Sequence, residues 1–403
     1  MSKTNNPKLR RRLGLPLLAM YGLGNILGAG IYVLVGKVAG EAGASTTLAF
    51  LLAMILAAVT AFSYMELSGR YPVSAGVSIY LHKAFGKRWL SVLFGGLIVA
   101  AGVASAAALA QGFAGYLQEF VAVPTVVASV GLIAVLGAIT LKGIGESAKT
   151  AALFTAVEIL GLLIVIWVGR QAFGEISPGD IVTLDPTLGF GGLIAGTFLA
   201  FYAFIGFEDM VNVAEEAKNP RRTMPLAILI ALASATLLYL LVVIVSTHIV
   251  PISDLARSKA PLSLVFERSG AGNAVVLGVI GMVATMNGVI VQLIMGARVL
   301  YGLGKQGWIP RRFSSVSRKT NTPVFSTLLI IGVMILGTVL LPLISLAKAT
   351  SMLVLIIFTM VNLSLIVIKR RQPIHRGYIT IPVVIPYIGL VLSVAIIGYQ
   401  LIA

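Results

Sequence analysis

Few side chains in this sequence are arranged for bond-making chemistry. Its three histidines, His82, His248 and His375, lie far apart and it has no cysteine. A thiolate metal site is excluded, and little is left for a metalloenzyme or a histidine-based triad. The groups whose type and spacing do suggest chemistry are backbone amides. In "YGLGNILGAGI", residues 21–31, Gly28 and Gly30 flank Ala29 inside a stretch that carries no charge from Leu13 to Val35. Glycine relaxes φ and ψ, and amides freed at the start of a helical segment bind an anion such as a carboxylate. Gly206 follows an aromatic run in a second apolar stretch, "GFGGLIAGTFLAFYAFIGFEDMV". The remaining candidate is a side chain: Glu158 in "TAALFTAVEILGLLIVIWVG", a carboxylate with apolar neighbours on both sides. Such a residue usually faces a cavity or a partner.

The elements that must position these groups are membrane helices. The 403 residues are 58% hydrophobic and 11% charged, with a mean hydropathy of +1.00, outside the range of soluble domains. A spanning helix needs about 20 apolar residues. Eleven nearly uncharged stretches meet that length: 13–35, 44–65, 89–118, 120–141, 150–169, 186–212, 223–250, 269–297, 323–347, 349–368 and 378–403. The alternating ten-residue strands of a membrane barrel are not visible. The fold class is an all-α membrane protein of about 11 transmembrane helices, a single membrane domain over 1–403.

A net charge of +16 would point to nucleic acid in a soluble protein, so its distribution matters. Of the 30 Lys and Arg, 24 fall before the first span and in every second loop, and only Lys37, Arg170, Arg257, Lys259, Arg268 and Lys348 lie on the other side. That is the positive-inside rule, and it supports the span count, because one missed helix would scramble the alternation. It predicts a multi-pass protein of the cytoplasmic (inner) membrane with a cytoplasmic N-terminus and an outside C-terminus, in contact with lipid and not with nucleic acid. "MSKTNNPKLRRR" runs into a span of full length without a small-residue cleavage site, which reads as a retained helix and not a signal peptide.

Spans one and six are the interrupted ones, and they are five helices apart. Breaks at matching positions in two halves point to an inverted-repeat transporter with its substrate near the midplane. The halves would cover 13–169 and 186–368, with 378–403 peripheral. A dinucleotide fingerprint is discarded, because its glycines must follow a strand. Close helix packing competes for the glycines, since Gly24 and Gly28 have GxxxG spacing. An unwound segment explains them better once the second break is considered, and unpaired backbone at membrane depth implies a lined cavity.

These residues carry a resemblance. "GNILGAGIYVLVGKVAGEAG" resembles the first-helix motif of the amino acid, polyamine and organocation (APC) superfamily, and "FYAFIGFEDMVNVAEEAKNPRRTMPLAI" its sixth helix and following loop. "YMELSGRYPVSAGVSIYLHKAFG" and "ARVLYGLGKQGWIPRRFSSVSRKTNTPVFSTLL" agree as well, in the right order. The resemblance implies a five-plus-five inverted repeat with broken helices 1 and 6. It also implies alternating access to a central amino acid site. Carried over by position, the amides of Gly28, Ala29 and Gly30 would meet the substrate carboxylate, with Gly206 at the second break. The carbonyls of Ile26, Tyr202 and Ile205 would meet the ammonium, and Tyr202 would close over the substrate. Half-helix ends of opposite sign suit a zwitterion without any charged side chain. Many members have twelve helices, and this chain supports eleven.

Glu158 is then the candidate proton-coupling group, in a region where some proton-coupled relatives carry a lysine, with a static hydrogen bond as the competing reading. Sodium remains an alternative, with Thr285 and Asn287 as oxygen ligands. Glu208 and Asp209 are a possible gate. Glu215 and Glu216 read as loop ion pairs with Lys218, Arg221 and Arg222, and Glu66 beside Arg70 reads as structural. Pocket positions are sought among Ala104 to Ala108, Tyr202, Asn287 and Ser351. The expected function is secondary active transport of amino acids by proton symport or exchange, without catalysis and without a cofactor. A polyamine or organic-cation carrier and a sodium-coupled amino acid symporter are the alternatives. The few acids near the breaks lean against a polycation.

Overall fold

The computed structural model describes residues 13–402 except 29, 74–75, 143–147, 176, 273, 318–319, 321 and 372–376. Apolar runs of this length fold as helices because each backbone N–H and C=O then finds its partner within the segment. The chain begins with α1 (Leu15–Leu27), α2 (Gly30–Ala42), α3 (Thr46–Arg70), α4 (Gly76–Phe85), α5 (Arg88–Leu117), α6 (Thr125–Leu141) and α7 (Ala148–Val168). Two single turns, α8 (Ala172–Glu175) and α9 (Pro178–Ile181), precede α10 (Gly189–Phe201). Then follow α11 (Pro220–Ile249), α12 (Ile252–Arg257), α13 (Pro261–Arg268), α14 (Val275–Lys305), α15 (Val324–Leu340), α16 (Leu343–Arg371) and α17 (Val384–Ile402). No strand occurs among the described residues. Seven helical segments are long and apolar enough to cross a membrane, one of them the whole of Leu15–Arg70, and Thr125–Leu141, Ala152–Val168 and Val324–Leu340 are shorter apolar helices.

The short α4, α12 and α13 were not foreseen. They occupy loops that the hydropathy reading left without structure, and proline opens α13 at its first position, where no amide is lost. The sixth span also differs from a plain helix. Beyond α10 it tightens at Tyr202–Phe204, breaks at Ile205–Gly206, and continues from Phe207 to Glu216 as 3₁₀ turns.

Packing follows a few dominant pairs: α5 against α14 and α16, α3 against α11, α1 against α11 and α7, and α10 against α2 and α3. Gly22 and Gly24 are packing glycines. A Cβ on Gly22 would run into the Met210 side chain, and one on Gly24 into Thr155. Two latches hold the broken helices at their ends. At the α1 end, the Leu13 amide donates to Glu216 O (3.0 Å) and the Lys218 amide to Leu13 O (2.8 Å). At the α2 end, the Asp185 carboxylate accepts the amides of Ala44 (2.8 Å), Thr187 (2.8 Å) and Leu188 (2.9 Å) and the Thr187 hydroxyl (2.6 Å). Gly43 (φ 57°) is required there, because a side chain would strike that carboxylate. The hydrogen bonds, led by the Thr187 hydroxyl, hold the Asp185 carboxyl well below the usual carboxylate range.

Glu66 is structural, in agreement with the sequence reading, although its role is wider than one pair. It is fully buried and accepts Arg70 Nη2 and Lys369 Nζ, both at 2.7 Å, and the Ile381 amide at 2.9 Å. It thereby ties α3 and α16 to the segment leading into α17. Glu216 departs from the expected loop ion pair. It makes none among the described residues and serves through its backbone carbonyl in the Leu13 latch.

Candidate functional site

The two breaks meet. A Cβ on Gly30 would lie 2.5 Å from Ala203 Cα, and one on Gly206 would lie 2.5 Å from Asn25 O and 3.0 Å from Ile26 N. Such spacing brings backbone against backbone and tolerates only glycine. Gly206 also needs its positive φ of 130°, a conformation that strains other residues. The α14 helix closes a third side, where Gly288 faces the Gly28 carbonyl with no room for a side chain.

Between these segments lies a cavity of about 370 Å³. Ile26, Gly28, Gly30, Tyr202 and Ile205 all line it, together with Ser105 and Gln292. Gly206 stands at the contact between the breaks and is not on that wall, and Ala29 lies outside the described residues. Tyr202 is 5% exposed; its hydroxyl lies 3.0 Å from Ser105 Oγ and 3.1 Å from Ser105 O, joining α10 to α5 beside the cavity.

The backbone groups are arranged differently from the simplest expectation in two respects. The Gly28 amide is not freed: it donates to Gly24 O at 2.9 Å and closes the last turn of α1. The amides open to an anion are those leading α2, which begins at Gly30, because the first amides of a helix have no acceptor within it. Two of the expected ammonium acceptors are also in use. Ile26 O accepts the Tyr239 hydroxyl (2.7 Å), and Tyr202 O accepts the Ile205 amide (3.2 Å). A carbonyl has two lone pairs, so each retains one. Tyr239 also lies 3.0 Å from Ala203 O and so bridges the two breaks from α11.

Glu158 does not line the cavity. It is fully buried between α7 and α14, accepts Asn287 Nδ2 at 2.9 Å through Oε1, and its backbone carbonyl accepts the Tyr32 hydroxyl at 2.5 Å. Tyr32 sits two residues into α2, and Asn287 adjoins the cavity-lining Gly288, so Glu158 is one side-chain layer behind the first break. Asn287 is therefore a partner of Glu158 and not a pocket residue. The Thr285 hydroxyl lies 2.9 Å from the carbonyls of Gly281 and Met282 in its own helix. Ser351 is absent from the lining, whereas its neighbour Thr350 is on it in the next cavity.

That second cavity, about 490 Å³, shares Ser105, Ile205 and Gln292 with the first and is lined by Glu208 and Asp209. The Glu208 carboxylate accepts the Gly206 amide at 2.8 Å, capping the 3₁₀ segment, and Asp209 accepts Gln292 Nε2 at 3.2 Å. A third cavity shares Ile98 and Asn212 with the second and reaches Gln306 and Trp308 at the basic end of the bundle. Ser105 falls within the 104–108 stretch where pocket positions were sought, whereas Tyr239, Gly288 and Gln292 were missed. Polar or small residues in otherwise apolar spans were the available signal, but one dimension does not say which face is lined.

A many-helix membrane bundle with two interrupted helices converging on a buried cavity defines a membrane transport fold. Residues 13–402 match the family described as amino acid permease, and the chain belongs to that family. It is 30% identical over 389 residues to the branched-chain amino acid permease BcaP of Bacillus subtilis (strain 168), covering 91% of this chain and 82% of that protein. To the vacuolar cationic amino acid transporter 2 of Arabidopsis thaliana it is 31% identical over 392 residues, 92% of this chain but 62% of that longer protein. To the methylthioribose transporter of Bacillus subtilis (strain 168) it is 28% identical over 413 residues, 95% of this chain and 86% of that one.

Proposed function

We propose that this chain is a secondary active transporter of amino acids in the cytoplasmic membrane, N-terminus inside and C-terminus outside, working by alternating access in proton symport or exchange. The observation that carries this reading is the backbone contact between the two breaks over one buried cavity. The substrate carboxylate is assigned to the amides at Ala29 and Gly30, and the ammonium to the carbonyls of Ile26, Tyr202 and Ile205. Helix starts and ends supply those partial charges among buried apolar residues, where the low dielectric strengthens them. The relatives named as amino acid carriers support the substrate class.

Counting Leu15–Arg70 as two traverses and adding the three shorter apolar helices reproduces eleven spans. The packing supports the five-plus-five repeat. The pairs α3 with α11 and α5 with α14 are counterparts, and α1 against α11 is matched by α10 against α3. Alternation then needs two rigid units. The Leu13 and Met210 contacts couple α1 to 207–216, while Gly30, Ala203 and the Asp185 latch couple α2 to α10. Glu158 is assigned the proton. Its tie to Tyr32 at the start of α2 and to Asn287 beside Gly288 would couple its charge to the break.

Counterflow in proteoliposomes tests the reading. A carrier gives transient accumulation of labelled amino acid driven by unlabelled internal substrate, and a channel gives none. A thermal-shift panel of all amino acids and common polyamines should show at least one ligand that stabilises the purified protein. Absence of both counterflow and stabilisation by every amino acid would refute the assignment.

A further inference from the structure

Several cations at the basic end of the bundle are occupied within the protein. Arg70 and Lys369 share Glu66, Arg88 donates to Gly307 O, Arg370 to the Tyr387 hydroxyl and Arg371 to Ala84 O. Arg311 and Arg312 differ. Both are exposed, and neither side chain has a hydrogen bond or an ion pair among the described residues. Arg312 is nonetheless held in place. Its guanidinium carbon lies 5.5 Å from the centre of the Phe313 ring and 5.0 Å from that of Phe325, and the two rings meet edge to face at 5.0 Å. Ser326 Oγ donates to Phe313 O at 2.9 Å and ties the turn at Arg311–Ser314 to the first turn of α15. A guanidinium resting on aromatic rings keeps its planar fork of donors free, and that fork takes a phosphate through two hydrogen bonds. Lys142 adds a third cation. It is exposed at the end of α6, and the carbonyl before it, Leu141 O, accepts the Thr322 hydroxyl at 3.3 Å, three residues ahead of Phe325.

A second observation identifies the ligand. Phe325, Leu329, Val333, Leu336 and Leu340 are exposed and recur at helical spacing along one face of α15, whereas Ile330 and Met334 are buried. The stripe starts at the ring that carries Arg312 and runs for about 22 Å, longer than the ~15 Å depth of one leaflet in a bilayer core of roughly 30 Å. We propose that Arg311 and Arg312, with Lys142, bind the headgroup phosphate of an anionic phospholipid whose acyl chain lies along this face of α15. A soluble phosphate would use the cations alone and leave the stripe without a role. Basic residues beside a membrane span attract anionic headgroups, and the two rings here hold one of them ready. The site is separate from the cavities, because α15 packs inward on α5, α6 and α14 and presents this face outward, so it stands whatever substrate the cavities take.

Thermal unfolding of the purified chain in mild detergent tests the site, with dioleoyl phosphatidylglycerol, dioleoyl phosphatidylcholine or soluble sn-glycerol 3-phosphate added. The two lipids share their acyl chains, and the third compound shares the phosphate ester of the first. Phosphatidylglycerol should raise the unfolding temperature at concentrations about tenfold or more below those that phosphatidylcholine needs, and sn-glycerol 3-phosphate at the same concentrations should give no shift. Arg311→Gln with Arg312→Gln should remove the preference. Arg221→Gln with Arg222→Gln takes as much charge from another exposed segment of the basic end and should keep it. Equal shifts with the two lipids would overturn the proposal. Equal loss in the two double variants would overturn it too, by showing only a diffuse attraction to the basic end, and a full shift with sn-glycerol 3-phosphate would replace the lipid with a free phosphate. Where the Arg311 and Arg312 double variant does not fold, a photoactivatable phosphatidylglycerol with its diazirine on the acyl chain decides the matter in the wild type. Crosslinks on α15 support the site, and crosslinks confined to other helices overturn it.

Discussion

Gly206→Ala is the substitution whose cost follows most directly from the geometry. Alanine would have to hold φ at 130°, which costs about 1–3 kcal/mol in backbone strain. Its Cβ would also stand 2.5 Å from Asn25 O and 2.7 Å from Asn25 C. Those are backbone atoms of the facing break and cannot rotate aside, so the two segments must part, and overpacking of that kind costs about 1–3 kcal/mol more. The expected loss is about 2–6 kcal/mol, together with a large loss of substrate affinity, because the site is the junction being forced open. Two controls separate the contributions. Gly270 has a positive φ of 72° but nothing within 4 Å, and Gly302 lies in α14 with nothing within 4 Å. Gly270→Ala should therefore show the strain alone, and Gly302→Ala should be neutral or stabilising by roughly 0.5–1 kcal/mol. Unfolding of the purified variants in detergent, paired with ligand-induced thermal shifts, measures both effects. If Gly206→Ala loses no more stability than Gly270→Ala and binds substrate normally, the close contact between the breaks is not what holds the site.

Four further outcomes are expected. Glu158→Gln keeps the hydrogen bond from Asn287 but cannot carry a proton, so accumulation driven by a pH gradient, about tenfold per unit for one proton, should collapse. Unchanged accumulation and unchanged pH dependence of uptake would remove Glu158 from coupling. Tyr239→Phe removes the hydroxyl that bridges Ile26 and Ala203, and should cost about 1–3 kcal/mol and raise KM for exchange; an unaltered KM would mean that the bridge does not shape the site. Glu66→Gln leaves Arg70 and Lys369 buried without their anion and should destabilise by about 3–5 kcal/mol, measured by thermal unfolding. Asp185 has its carboxyl held below the usual range, so its stabilisation is present above the ordinary carboxylate pKa and is lost as pH falls through the depressed value. Asp185→Asn should thus be less stable than wild type at neutral pH, with the gap narrowing only below about pH 4; equal stability at pH 7 would show that the latch carries no energy.

Much of the fold was legible because membrane helices obey two simple constraints, length of apolar sequence and sign of flanking charge. Leu15–Leu27 and Gly30–Ala42 interrupt where Gly28 and Gly30 fall, and α10 gives way at Gly206. Boundaries were less legible. The second span extends to Arg70, since Glu66 and Arg70 are partners on one helix and not loop residues. The functions of individual glycines were only half legible. Glycine is written alike whether it relaxes a turn, as at Gly206, or admits a neighbour, as at Gly30 against Ala203. The Gly28 amide shows the same limit, for a glycine beside a break can still close the turn before it.

The sequence by itself determined that this is an all-helical membrane protein with two interrupted spans and a buried carboxylate in a third. Those properties follow from composition and from local backbone preference, which a single dimension records. Only the tertiary structure decided that the two breaks touch, that Glu158 stands behind the first of them bonded to Asn287, and that Glu208 and Asp209 line a cavity adjoining the site. These are relations between residues tens to hundreds of positions apart. They depend on which face of each helix packs inward, and an apolar span is nearly uniform around its circumference, so the sequence carries little record of that choice.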